Sequence, residues 1–191
     1  MTPLLARRRW LLGVGLGLGL ARPAAWAAAA PGDTIAWPAL TLVDGSTLAP
    51  DAWHDTAAVV VFWATWCGYC RRHNAHIDKL HRQSTDPHLR VLGVAVDADA
   101  PAVRRYLQTN GYSFPVVAGA PGLREQFTAR RVVPMTCLVD RHGRLRQVIP
   151  GEMSEDDVMG LSALARAPAI ASATASATPG SSPLANRIDH G

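Results

Sequence analysis

The sequence predicts an α/β domain that begins with a strand, a helix and a strand and finishes with two strands and a helix. Apolar, β-branched runs at residues 57–63 and 89–96 predict buried strands, and a charged segment with helical periodicity at 68–84 separates them. Residues 135–140 and 145–149 flank the turn sequence Arg-His-Gly, which predicts an antiparallel pair. A right-handed crossover is expected to place the first two strands side by side.

The other predicted elements complete one domain at residues 31–166. Apolar residues alternate at 39–43 and resume at 47–48 after the turn Asp-Gly-Ser, which predicts an N-terminal β-hairpin. Further helices are expected at 101–110, at 122–129 and, with Ser154 as its N-cap, at 152–165, and a short extended segment is expected at 114–117.

Two cysteines, Cys67 and Cys70, stand where the first strand gives way to the helix. Free amide groups and the positive end of the helix dipole stabilise a thiolate there, so a lowered pKa is expected for Cys67. Cys70 is expected one turn further on, beneath it. No metal site is predicted, because there is one Cys-x-x-Cys pair and the third cysteine, Cys137, is distant.

The run Phe-Trp-Ala-Thr-Trp-Cys-Gly-Tyr-Cys at residues 62–70 resembles the thioredoxin superfamily, and within it the exported TlpA/ResA-like thiol–disulfide oxidoreductases. The resemblance covers residues 33–166. It implies a thioredoxin-like fold, which is a central mixed β-sheet flanked by helices, here with an N-terminal β-hairpin extension. It also implies that Cys67 attacks a substrate disulfide and that Cys70 resolves the mixed disulfide. A structural disulfide that never cycles is the alternative.

The resemblance extends to the surroundings of the cysteines. Val133-Pro134 matches a superfamily position where the X-Pro bond is cis, and the exposed backbone of Val133 is then expected to pair with a substrate strand. An ordinary trans proline is the alternative. Trp66 is expected to flank the disulfide on an apolar docking surface, and Gly68 and Tyr69 are expected to influence the reduction potential.

Several positions depart from the family pattern. His73 stands where ResA-like proteins have a glutamate that acts on thiol protonation, so it is a candidate for proton transfer or, when charged, for stabilising the thiolate. A solvated surface histidine is the alternative. Val61 replaces a buried aspartate, and Ala75 replaces a proline that kinks the helix, so a straighter helix is expected. Cys137 is expected to be a buried small hydrophobe, with a third redox or metal-binding thiol as the alternative.

Both ends of the chain differ from the domain between them. Residues 1–30 contain three consecutive arginines, an apolar run of about eleven residues and an Ala-Trp-Ala pattern, which predict an export signal. The arginines also resemble a twin-arginine signal, so the Sec and twin-arginine routes both stay open. The apolar run is shorter than the ~20 residues that cross a bilayer, so a retained anchor is not favoured. Residues 167–191, rich in Ala, Ser, Thr and Pro, are predicted to be disordered.

The basic charge of the chain is concentrated in the predicted signal. Residues 1–30 hold four arginines and no acidic residue, so the formal net charge falls from +4 to zero without them. A nucleic-acid partner is therefore not expected. Export to the periplasm suits a protein that carries a disulfide.

Together these features predict a periplasmic protein-disulfide reductase that needs no cofactor, because the two sulfurs store the electrons. By the resemblance, it reduces disulfides in exported proteins, for example apocytochrome c or copper-site cysteines, with electrons from a membrane thiol transporter. The Cys-Gly-Tyr-Cys sequence also resembles the periplasmic disulfide isomerases, so an oxidase or isomerase of the same fold is one alternative. A copper-binding module, with His73 or Met135 completing the cysteine ligands, is another.

Overall fold

The computed structural model describes residues 28–166, which form an α/β domain around a five-stranded sheet. Most of the predicted export signal and all of the predicted disordered tail at 167–191 lie outside the described residues. The elements are β1 (Leu40–Thr41), β2 (Thr47–Leu48), β3 (Ala57–Trp63), α1 (Gly68–Gln83), β4 (Leu89–Ala95), α2 (Ala100–Asn110), β5 (Val116–Ala118), α3 (Pro121–Phe127), β6 (Met135–Val139), β7 (Leu145–Pro150) and α4 (Glu155–Arg166).

The main sheet has the strand order β5-β4-β3-β6-β7 and is mixed. Strands β3, β4 and β5 are parallel, with Trp63 opposite Ala95 at the carboxyl end of the first pair. Strands β6 and β7 run antiparallel, and β6 also pairs with β3. This arrangement confirms the thioredoxin-like fold class, including the crossover that places β4 beside β3.

Strand β3 lies at the centre of the sheet, between two apolar layers. All seven of its residues are buried, which explains why its sequence is a continuous apolar run and does not alternate. Its odd-numbered residues from Val59 to Trp63 face the layer that contains α1, α2 and α4. Its even-numbered residues from Ala58 to Phe62 face the layer that contains α3 and Trp53. The strand is therefore a rigid support for whatever follows its carboxyl end.

The first and last helices begin at identifiable caps. Cys67 is the N-cap of α1, which runs without interruption through Ala75. Helix α4 begins at Glu155, three residues later than predicted, because Ser154 caps it: the Asp157 N–H donates to Ser154 Oγ at 3.2 Å. The prediction of Ser154 as N-cap is confirmed.

The N-terminal hairpin forms a separate two-stranded sheet of β1 and β2. Its turn is tied to the main sheet, because the Val43 N–H donates to the Val116 carbonyl at 2.8 Å. Beside it, Trp37 stacks on Trp53 with ring centroids 4.0 Å apart.

Gly93, in the middle of β4, has no room for a side chain. A Cβ atom there would lie 2.7 Å from Phe114 Cε2, 2.8 Å from Val116 Cγ2 and 3.0 Å from Trp63 Nε1. We expect Gly93→Ala to lower the free energy of unfolding by about 1–3 kcal/mol in urea titrations, because packed core side chains must move. Gly160→Ala is the matched control: a Cβ there meets nothing within 4 Å, and alanine favours the helix. Equal losses in both variants would contradict the packing argument.

The cysteine pair and its surroundings

Cys67 and Cys70 form a disulfide at the junction of β3 and α1, with their Cα atoms 5.2 Å apart. The Cys70 N–H donates to Cys67 Sγ at 3.1 Å, so the first turn of the helix directs a backbone dipole at that sulfur. Cys67 keeps an exposed fraction of 9%, whereas Cys70 is fully buried. Only Cys67 is therefore open to an incoming group, which fits its expected role as the attacking sulfur.

The turn before the cysteines is held from the neighbouring strand. Thr65 donates both its N–H and its hydroxyl to the Asp97 carboxylate, each at 2.9 Å. The two residues come two positions after Trp63 and Ala95, which face each other at the ends of parallel strands. The equal offsets of Thr65 and Asp97 from two adjacent strand ends are the sequence signal for this contact. The bonds fix the approach of the chain to Cys67.

The Val133–Pro134 peptide bond is cis and lies against the disulfide. The Val133 carbonyl oxygen is 3.8 Å from Cys67 Sγ. Pro134 is buried and Val133 half-buried, and the Gly151 N–H donates to the Pro134 carbonyl at 2.8 Å. The structure thus brings both residues of this predicted pair beside Cys67, with backbone at the surface of the site.

Exposed apolar side chains surround the disulfide. Trp66 is 73% exposed, Tyr69 64% and Val132 48%, and we call these three residues the apolar rim. Gly68, also exposed, lies between two of them in sequence. Large aromatic side chains that are exposed to solvent beside a reactive group are typical of a surface to which a partner binds. Trp63, by contrast, is fully buried.

His73 is fully buried, so the alternative of a solvated surface histidine is wrong. Its Nδ1 accepts the Met153 N–H at 3.2 Å and therefore carries no proton. Its Nε2 must then donate to Thr136 Oγ1, at 2.9 Å. Burial lowers the pKa of His73 to about 4, so the ring is neutral near pH 7.

This geometry limits what His73 can do at the cysteines. A neutral ring supplies no positive charge to the Cys67 thiolate, and both ring nitrogens are bonded to other groups. Proton transfer by His73 stays a prediction, and it requires one of these two bonds to break. For the same reason His73 does not complete a copper site as it stands, and Met135 is fully buried. Residues 28–166 contain no cluster of three potential His, Cys, Asp or Glu ligands.

Two other predicted positions lie in the core. Val61 is fully buried on β3, so an apolar side chain occupies the place of the family's carboxylate. Cys137 is unpaired and fully buried on β6. Burial raises the pKa of Cys137 to about 12, so its thiol is protonated and unreactive at neutral pH. This agrees with the prediction of a buried small hydrophobe.

Sequence reasoning missed Glu152, which it placed inside the last helix. Glu152 accepts two hydrogen bonds from the Arg72 guanidinium, at 2.7 and 2.8 Å. This hydrogen bonding lowers the pKa of Glu152, so the carboxylate is charged. The pair joins the first turn of α1 to the loop before α4 and neutralises a positive charge near the cysteines.

Fold and site together define the class: a thioredoxin-like protein with a Cys-x-x-Cys disulfide at a helix N-terminus. The Redoxin family model matches residues 30–164, and the chain belongs to this family. Within the described residues, none of the helices has the length and hydrophobicity that crossing a bilayer requires.

The similar proteins refine this class. The thiol-disulfide oxidoreductase ResA of Geobacillus kaustophilus is 28% identical over 99 residues, which are 51% of this chain and 56% of that protein. ResA of Bacillus subtilis is 27% identical over 96 residues, 49% of this chain and 52% of that protein. The match thus spans about half the length of these relatives. A thioredoxin-family thiol:disulfide interchange protein from Chlorobium tepidum has a TM-score of 0.65 at 26% identity, covering 73% of this chain and 99% of that one. The chain is a TlpA/ResA-like member of the thioredoxin superfamily, and these likenesses support thiol–disulfide oxidoreductase chemistry at Cys67 and Cys70.

Proposed function

We propose that this chain is an exported thiol–disulfide oxidoreductase that reduces disulfides in other exported proteins. The observation that carries the proposal is the position of Cys67 Sγ. It caps a helix, it is the more accessible member of its pair, and it faces the Val133 carbonyl at 3.8 Å. A sulfur so placed is accessible to a substrate disulfide, and Cys70 lies directly behind it.

The reaction proceeds by two exchanges. In the reduced protein the Cys67 thiolate attacks one sulfur of a substrate disulfide; a new S–S bond joins the two chains, and the other substrate sulfur leaves as a thiolate that takes up a proton. Cys70, deprotonated, then attacks Cys67 Sγ, which restores the internal disulfide and releases the second substrate thiolate, which is protonated in turn. The substrate gains two electrons and two protons, and a dithiol donor must return the protein to its reduced form.

Substrate docking uses the surface around the exposed sulfur. An extended substrate segment pairs with the backbone at Val133, which orders it beside Cys67 without reading its side chains. The apolar rim covers the segment and excludes water from the reacting sulfurs. Backbone pairing supported by aromatic contacts suits unfolded or extended polypeptides of varied sequence.

The reducing direction is proposed because few groups other than the N-terminus of α1 stabilise the Cys67 thiolate. Strong oxidants of this chemistry owe their potential to a strongly stabilised reduced form. Here Cys67 Sγ accepts a hydrogen bond from Cys70 N–H, His73 is neutral, and Arg72 is paired with Glu152. Gly68 and Tyr69 add no charge. These features favour a reducing protein over an oxidase or isomerase.

Location and partners complete the proposal. The signal-like residues 1–30 support export to the periplasm by the Sec or twin-arginine route. Such a reductase needs a thiol donor across the membrane, for which a membrane thiol transporter is proposed. Its substrates are disulfide-bearing exported proteins, such as apocytochrome c or proteins with copper-site cysteines.

The reduction potential tests the proposal. We expect the Cys67–Cys70 couple to equilibrate near the thioredoxin value of about −270 mV, and not near the value of about −120 mV found for a strong oxidant. The measurement is a titration in dithiothreitol redox buffers, followed by tryptophan fluorescence because Trp66 adjoins the pair. A potential at the oxidising end of this range would contradict the reductase assignment.

A further inference from the structure

A cavity of about 270 Å³ opens at the carboxyl end of β4, the strand next to β3, and is lined by apolar residues and two arginines. Its apolar walls come from the end of β4, the loop that follows it, and the loop before α3. Its charged lining is Arg124 and Arg131, and no acidic residue lines it. We propose that this cavity binds an aspartate or glutamate side chain of the substrate polypeptide, close to the cysteine under attack. The inference rests on the proposed function and adds a substrate preference to it.

Arg124 is fixed in the cavity wall with its charge unbalanced. Its Nη2 donates to the Arg130 carbonyl at 3.0 Å and to the Val132 carbonyl at 3.2 Å, and both acceptors are neutral. Burial and the nearby Arg131 lower the pKa of Arg124, which shows that the local environment disfavours its positive charge. An anion entering the cavity would offset the repulsion between Arg124 and Arg131 and stabilise the charged form of Arg124.

Arg131 is the exposed member of the pair and makes no hydrogen bond or ion pair with any residue that the structure describes. Several other arginines of the domain have carboxylate partners, as Arg72 has Glu152, Arg82 has Asp78 and Arg141 has Asp55. Asp97 lies between two residues of the cavity wall, but its carboxylate accepts from Thr65. The guanidinium of Arg131 is thus free for a carboxylate, which it binds through two parallel hydrogen bonds.

The cavity lies within reach of a bound substrate. Arg131 precedes Val133 by two residues, and the Val133 carbonyl is 3.8 Å from Cys67 Sγ. An extended strand advances about 3.3 Å per residue, with every second side chain on the same face. A substrate segment paired at Val133 would therefore carry a side chain two or three residues from its cysteine to the Arg131 side of the site.

The test uses cystine peptides that differ only in charge. Three peptides carry Asp, Asn or Lys at the second and third positions on each side of one cysteine, and kcat/KM for their reduction is measured. We expect the Asp peptide to exceed the Asn peptide by about three- to tenfold, as for a partly exposed ion pair, and the Lys peptide to be slowest. Arg131→Gln should bring the Asp peptide most of the way to the level of the Asn peptide, because only Arg124 then remains as a positive charge in the cavity, and Arg131→Glu should favour the Lys peptide.

Arg130→Gln is the matched control. Arg130 is next to Arg131 in sequence and carries the same charge, but its side chain does not line the cavity. It should keep the preference for Asp. Equal rates for the Asp and Asn peptides, or a preference that Arg131→Gln leaves undiminished, would overturn the inference.

A binding measurement separates this inference from the proposed function. Cys→Ser versions of the three peptides, labelled with a fluorophore, are titrated against the oxidised protein, and anisotropy gives their relative affinities. Asp-selective binding that depends on Arg131, with no peptide reduced, would retain the cavity and reject the reductase. Reduction of all three peptides at one rate, with equal binding, would retain the reductase and reject the cavity.

Discussion

Cys70→Ser is expected to stay covalently joined to its substrate through Cys67. The exposed Cys67 sulfur still attacks a disulfide, but the buried sulfur that would release the product is gone. Incubation of the reduced variant with a cystine-containing protein should therefore give a mixed disulfide, seen as a band of added mass on non-reducing gels and abolished by dithiothreitol. Turnover should fall to the background rate.

Two further variants test whether Cys67 is the nucleophile. Cys67→Ser should form no adduct, because Cys70 is fully buried and reaches no substrate. Cys137→Ala should behave as the unmodified protein in turnover, because its thiol is buried and protonated at neutral pH. An adduct that maps to Cys70 or Cys137 by peptide mass would refute the assignment of Cys67 as the nucleophile.

The second large effect is a loss of stability in mild acid caused by His73. Its pKa is 6.5 in the unfolded chain and about 4 in the folded protein, so the unfolded state binds the proton first. The contribution of neutral His73 to the free energy of unfolding is complete above pH 6.5, decreases as the pH falls towards 4, and stays constant below that. The free energy of unfolding should fall by up to about 1.4 kcal/mol per pH unit and roughly 3 kcal/mol in total.

His73→Gln isolates this contribution. The variant loses buried hydrogen bonds and should be less stable at pH 7 by about 1–3 kcal/mol, but its stability should depend less on pH between 6.5 and 4. Urea unfolding at several pH values measures both. The neighbouring His76 and Glu152, which also act on the pKa of His73, remain in the variant. His54→Gln, at an exposed histidine, should keep the full pH dependence, and an equally steep dependence in His73→Gln would refute the assignment.

The fold was predictable because its strands are unusually clear in the sequence. Strand β3 has the predicted bounds, since a strand buried on both faces reads as one apolar run between polar turns. The cysteine site was predictable for the same reason, because the pair follows that strand directly. The start of the last helix was harder to predict. The sequence pattern places Glu152 inside that helix, but Glu152 precedes the N-cap Ser154 and pairs with Arg72.

The burial of His73 was foreseeable and was not foreseen. It lies three residues after Cys70 and four before Ile77, on the face of α1 that packs against the sheet. Its partners Thr136 and Met153 come from distant parts of the chain, so its hydrogen bonds required the tertiary structure. The same holds for the cavity, because Arg124 and Arg131 flank it only once α3 and the segment before β6 are folded beside β4.

The burial of the unpaired thiol at Cys137 affects which disulfides the folded chain can form. Its position opposite Val60 in the middle of the sheet removes it from solvent once β6 has joined β3. Three cysteines allow three different intramolecular pairings, and the folded sheet holds the Cys67–Cys70 pair with Cys137 unbonded. A bond from Cys137 to Cys67 or Cys70 does not suit this sheet, because Cys137 belongs to one apolar layer and the other two cysteines belong to the opposite layer.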